Sequence, residues 1–332
     1  ASTIVDKTMP PSFSQGLYFT LGKEEVLGHI ENLRSEEKVD LIIVLSHLGF
    51  PQDVKLAQEV KGIDVILSSH THNRLYTAKQ VEDTIIIQSG SHGSFLGQLD
   101  LEVENHHVVN YRHALQVVEE AVTPDKEVQS LIDDALTPYR EELEQVVGQT
   151  SIALNRNTMF ESTMDNLLLQ SLMEQTGAQI AFSNGWRYGA PVVPGPVTLN
   201  DLWNIIPVNP PLSTVDLTGE EIRTMLGENL EHTFSRDPFQ QMGGYVKRML
   251  GLNVYVKVEN GPGNRIQELF VQGQPIKADH LYTAAFVTAQ GVPQKYGANR
   301  QELDIRAIDA LKNYLSKNSP VDMSLQRTVM AV

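Results

Sequence analysis

VDLIIVLSHLGFPQDVKLAQEVKGIDVILSSHTHNRLY, residues 39–76, holds two short apolar runs, each followed at once by histidine. The runs are Leu41–Leu45 and Ile63–Leu67, and the histidines are His47, His70 and His72. An unbroken run rich in Val and Ile, about four to eight residues long, reads as a strand buried on both faces. Between the runs, Val54, Leu56, Ala57 and Val60 supply enough apolar side chains for a short crossover helix. The stretch therefore reads as a βαβ unit.

In an open α/β sheet, ligands collect beyond the carboxyl ends of the parallel strands, and both histidine groups fall there. Any one of the ten histidines of this chain, taken singly, is more often a cap or a surface group than a ligand. Placement changes the reading: a His-x-His loop lets two rings face one centre, and neutral imidazole is a common ligand of divalent transition metals.

Ser46-His47-x-Gly49 after one strand and Asp64-Val65-Ile66-x-x-x-His70-Thr71-His72 after the next resemble the last two motifs of the calcineurin-like metallophosphoesterases, specifically their two-domain 5′-nucleotidase branch. The resemblance implies two divalent ions (Mn, Zn or similar), with His47 and His70 on one and His72 on the other. Ser69 stands where that family usually has Gly. The family's earlier motifs, Asp-x-His, Gly-Asp and Asn-His, are absent from residues 1–46, so the chain is expected to be a fragment with little or no activity of its own.

The 332 residues allow two domains, and 41% hydrophobic with 20% charged residues is an ordinary globular composition. A formal net charge of −15 argues against nucleic acid and anionic membrane as partners. A small anionic substrate, a nucleotide or other phosphoester, is compatible with that charge if local arginines hold it. With no cysteine, neither thiolate ligation nor a Cys nucleophile is available, and no run is apolar enough for a membrane span. By resemblance the protein is periplasmic or secreted, with any signal in the missing front part.

Lys23–Glu37 reads as a helix, Ile85–Ile87 as a further strand, and Gln98–Val103 with Val108–Val118 as a hairpin. His92, in a glycine-rich loop, is read as structural because the resembled family has no ligand there; His106-His107 is read as solvent-exposed. Thr123-Pro124-Asp125 opens a helical stretch over 126–147, with Thr123 as N-cap and a kink expected at Pro138. The expected organisation is mixed α/β: residues 1–120 form the C-terminal part of a metallophosphoesterase α/β sandwich and 121–150 a linker helix. Residues 151–332 form an α/β domain of the 5′-nucleotidase C-terminal type.

In the second half, Ser162-Thr163 caps a helix that Gly177 ends, and an apolar strand over 178–183 leads into Asn184-Gly185-Trp186-Arg187. That tetrapeptide resembles the family's substrate-binding Asn-Gly-Gly-Gly-Ile-Arg, and a planar guanidinium such as Arg187 suits bidentate recognition of phosphate or sulfonate. Phe239, four residues before Gly243-Gly244, has the spacing of the phenylalanine that stacks on the base in nucleotidases. Lys247 and Arg248 are possible anion contacts, a charge pair of a kind usually solvated. Tyr282–Val287 reads as the last strand, after which Ala289–Pro293 departs from the nucleotidase pattern of a second stacking Phe and Gly-Gly-Asp-Gly.

The resemblance implies two-metal hydrolysis of phosphomonoesters such as nucleotides. An alternative is the SoxB-type thiosulfohydrolase branch, which hydrolyses a sulfonate from a carrier-protein cysteine; Phe182–Gly189 and Asp237–Gly244 resemble its segments at least as well. A non-catalytic binding or docking protein on the same fold is the third reading.

Overall fold

The computed structural model describes residues 11–185, 189–242 and 245–332. The described residues form two compact units: one runs to Thr123 and takes in a short segment from Ser235, and the other is built from Pro124–Phe234 and the remainder of the chain.

The first unit begins with α1 (Lys23–Ser35), β1 (Ile43–Leu45), α2 (Phe50–Glu59) and β2 (Val65–Leu67). β3 (Lys79–Val81) and β4 (Thr84–Ile87) complete a sheet of order β1-β2-β4-β3, in which β1, β2 and β4 are parallel. The parallel β1–α2–β2 crossover is the unit expected from the apolar runs. Leu56, Ala57, Ile63, Ile66 and Ile86 form its core with Ile30 of α1. β1 departs from expectation: Ile43 is 47% and Leu45 71% exposed. Among the described residues its strand pairing runs only to β2, which leaves β1 at the edge of the described sheet. The antiparallel ribbon of β5 (Phe95–Glu104) and β6 (His107–Val117) follows, packing Leu99, Leu101, Val108 and Tyr111 on Val65, Ile85 and Ile87.

The second unit opens with α3 (Lys126–Leu136), capped by Asp125 rather than Thr123: the Asp125 carboxylate accepts from the N–H groups of Glu127 and Val128. The helix stops before Pro138, α4 (Arg140–Leu143) follows, and Val146–Val147 already belong to β7 (Val146–Thr150), which pairs with β9 (Gly195–Thr198). α5 (Thr163–Thr176) is capped by Ser162 and ends at Gly177 in the left-handed region, as its sequence requires.

Behind α5 lies a five-stranded sheet of order β11-β8-β15-β10-β16, with β8 (Ile180–Ser183), β10 (Pro211–Thr218), β11 (Arg248–Leu250), β15 (Leu281–Val287) and β16 (Ala298–Arg306). α6 (Leu199–Ile205) precedes β10, and α7 (Gly219–Phe234) follows it. β12 (Leu252–Val256), β13 (Ile266–Val271), β14 (Gln274–Pro275) and β17 (Val329–Ala331) make a second sheet. β15 is not the last strand: after α8 (Thr288–Gly291) come β16, α9 (Ala307–Asn318) and β17. α9 packs Ile308, Leu311 and Leu315 into the same core as Leu168 and Leu172 of α5.

Candidate metal centre

Each of the three parallel strands of the first unit ends in a loop that carries histidine. His47 follows β1, His70 and His72 follow β2, and His92 follows β4. Gly49, at φ 119, lets the first loop lie against the second, since a Cβ there would come within 2.8 Å of Thr71 Cγ2. The Phe50 N–H donates to Thr71 Oγ1 at 2.9 Å.

The His47 and His70 rings are 5.0 Å apart between centroids, at 62°. Those of His72 and His92 are 5.9 Å apart, at 71°. His70, His72 and His92 all have positive φ, of 70°, 57° and 60°, in a region that costs a non-glycine residue about 1 kcal/mol or more. Three strained histidines in adjacent loops form a pattern that packing alone does not require.

Hydrogen bonding fixes the His47 tautomer. Ser69 Oγ lies 2.8 Å from His47 Nδ1 and donates its only proton to the Ser46 carbonyl at 2.7 Å. The serine oxygen must therefore accept from Nδ1–H, which leaves the lone pair on Nε2, the arrangement a metal-binding imidazole needs. Beneath, buried Gln88 braces the second loop, donating to Ser68 Oγ at 2.9 Å and Ser69 O at 2.7 Å. It accepts from Thr71 Oγ1 at 3.2 Å and from the Asn73 N–H. Fully buried Asp53 accepts from Ser46 Oγ at 2.5 Å, while its Oδ2 has no hydrogen-bond partner among the described residues. Burial pushes its carboxyl upward, against the hydrogen bonds of Ser46 and Ser68.

With a metal–nitrogen bond of about 2.0–2.1 Å, two imidazoles on one ion place their centroids roughly 4.5–6.5 Å apart. Both pairs meet that spacing. Among the described residues, no group of three or more possible ligands converges on one point. The His47–His70 and His72–His92 ring pairs are each spaced as two imidazoles on one ion would be.

Phe239 lies on the 3₁₀ turn Pro238–Gln240, half-buried, in the segment that belongs to the first unit. Gln52 of α2 donates to the Pro238 carbonyl at 2.9 Å and holds this turn. Asn184 follows β8, and its Nδ2 donates to Gln290 Oε1 at 3.0 Å. Arg187, Gly243 and Gly244 lie outside the described residues.

Lys247 and Arg248 are not solvated. The Lys247 ammonium, 6% exposed, donates to the Gln290 and Gly291 carbonyls at 2.7 and 2.8 Å, and burial lowers its pKa to about 8. Arg248, 1% exposed, and Arg156 both pair with Asp165, each at 3.0 Å. Phe286 is a core residue under the Arg300 guanidinium, 4.7 Å from its ring centroid, and is no partner for a stacked base. Sequence reasoning passed over Ser69, Gln88 and Asp53, which act only through folding. It set aside His92, whose place after the third strand was legible.

Residues 142–288 match the family model of the 5′-nucleotidase C-terminal domain. Over that stretch the chain is similar to 5′-nucleotidases. The chain is 29% identical over 315 residues to the trifunctional nucleotide phosphoesterase protein YfkN of Bacillus subtilis (strain 168), covering 87% of the chain and 21% of that protein. The structure of Thermus thermophilus sulfate thiohydrolase SoxB in complex with glycerol superposes with a TM-score of 0.92 at 26% identity, covering 100% of this chain and 61% of that one. A 5′-nucleotidase precursor, also from Thermus thermophilus, shares the fold, with a TM-score of 0.79 at 22% identity over 93% of this chain and 67% of that one. The chain thus spans about a fifth of YfkN and three-fifths of SoxB.

Proposed function

We propose that the chain forms part of a metal-dependent hydrolase of phosphomonoesters, nucleotides among them, with His47, His70 and His72 as metal ligands. The observation that carries this reading is the 5.0 Å approach of the His47 and His70 rings beyond two parallel strands, with the His47 Nε2 lone pair left available by Ser69. Two divalent ions, when bound, would polarise the ester and stabilise the attacking and leaving oxygens. Ser69 and Gln88 hold the imidazole loops in place. Asn184, Arg187 and the Gly243-Gly244 backbone are proposed substrate contacts, and Phe239 offers a flat face for a base, worth ~1–3 kcal/mol per stacked base. The described residues supply too few ligands for two ions, so little turnover is expected of the 332-residue chain alone. A periplasmic or secreted location is proposed with this reading.

A second reading is a SoxB-type thiosulfohydrolase acting on a carrier-protein S-sulfonate. It is favoured by the burial of Phe286, which removes one half of a nucleobase clamp, and by the likeness to SoxB along the whole chain.

The test is turnover by the protein expressed from its complete reading frame, with Mn²⁺ or Zn²⁺, against AMP and an S-sulfonated thiol. Metal-dependent hydrolysis of AMP, reduced on the order of 100-fold or more by His47→Ala, is expected. Hydrolysis of the S-sulfonate alone selects the second reading. Turnover indifferent to chelation and to His47→Ala contradicts both.

A further inference from the structure

We propose that His92 is a fourth imidazole of the metal centre, sharing one ion with His72. This rests on the reading of His47, His70 and His72 as ligands and extends it to the third parallel strand.

Four observations carry it. His92 occupies, after β4, the position that His47 and His70 occupy after β1 and β2, where such sheets gather ligands. Its ring lies 5.9 Å from that of His72, within the roughly 4.5–6.5 Å that two imidazoles on one ion require.

The approach is built by the backbone. The Gly90 N–H donates to Asn73 O at 2.9 Å and the Leu75 N–H to Gln88 O at 3.1 Å. Arg74 and Ser89 form an isolated antiparallel bridge, and the Arg74 guanidinium stacks 5.6 Å from the Phe95 centroid. Gly90, at φ 70, makes this contact possible, because a Cβ there would fall 2.9 Å from Arg74 Cγ.

Lastly, the His92 residue is exposed, so its ring is open to an ion from solvent.

Two imidazoles on one position favour borderline cations such as Zn²⁺, Co²⁺ or Ni²⁺ over Mg²⁺ and Ca²⁺, which prefer oxygen. A centre with one imidazole there would discriminate less.

Calorimetric titration of the 332-residue chain with Co²⁺ and Zn²⁺ tests this, comparing wild type with His92→Ala, His92→Gln, His72→Ala, His47→Ala and, as control, the exposed hairpin variant His107→Ala. Both His92 variants are expected to weaken one of two sites about 10-fold or more while leaving metal-free melting unchanged. The His72→Ala/His92→Ala double variant should weaken the same site, at least as much as either single variant, and leave the other site unchanged. Wild-type affinity and stoichiometry in both His92 variants, with His47→Ala and His72→Ala weakened, overturns the role of His92 and leaves the wider reading standing. Unchanged binding in His47→Ala and His72→Ala overturns the wider reading itself, and the His92 assignment with it.

Discussion

Ser69 and His47 show how a single hydroxyl selects the chemistry of its neighbour. Because Ser69 spends its proton on the Ser46 carbonyl, the 2.8 Å contact to His47 can only be Nδ1–H donating to oxygen. Ser69→Ala removes that acceptor, and ¹⁵N NMR of His47 in metal-free protein at alkaline pH should show the Nδ1–H form giving way to a tautomer mixture. An unchanged spectrum would remove Ser69 from the account. Asp53 makes a second prediction at this scale. Asp53→Ala leaves the buried Ser46 hydroxyl without its acceptor and should cost about 1–3 kcal/mol in denaturant unfolding. Asp53→Asn keeps an acceptor and removes a buried charge. Since burial raises the folded pKa above 3.8, ionisation lowers stability as pH rises through that folded value. The melting temperature of Asp53→Asn should therefore gain on wild type as pH climbs past it and match wild type in acid.

At the scale of elements, the β5–β6 ribbon carries its own pH sensitivity. His113 on β6 buries both ring nitrogens without a hydrogen-bond partner among the described residues, and desolvation lowers its pKa below 6.5. The unfolded chain binds the proton more readily, so this residue lowers stability as pH falls through 6.5 toward the folded pKa. His113→Leu should raise the melting temperature, and by more at pH 5 than at pH 8; a pH-independent difference would contradict the assignment.

In the second unit, Asp165 at the start of α5 joins two guanidinium groups, each at 3.0 Å, with all three side chains buried. Asp165→Ala should cost about 3–5 kcal/mol, measured by urea unfolding, because it strands two buried cations. The elements themselves were largely legible, since Ser162, Gly177 and the apolar periods act within a few residues. Lys247 and Arg248 were misread because their partners lie far away in sequence: carbonyls at Gln290 and Gly291 for one, Asp165 for the other. β16 was passed over because its sequence, ANRQELDIR, is that of a polar edge strand.

For the molecule as a whole, the mixed α/β architecture and the likeness to 5′-nucleotidases followed from short motifs. The His47, His70 and His72 positions were readable because a parallel strand followed by histidine marks a loop on the ligand side of the sheet. The approach of the His92 ring to His72 was not, since it depends on left-handed backbone at both histidines, which has no local sequence signal. The most direct measurement is an anomalous difference map from crystals of the chain grown with Zn²⁺ or Mn²⁺. A peak about 2.0–2.2 Å from His47 Nε2 and from a ring nitrogen of His70 is the expected result. Ions bound only elsewhere, for instance at the exposed His106-His107 hairpin, with no density between His47 and His70, would contradict it.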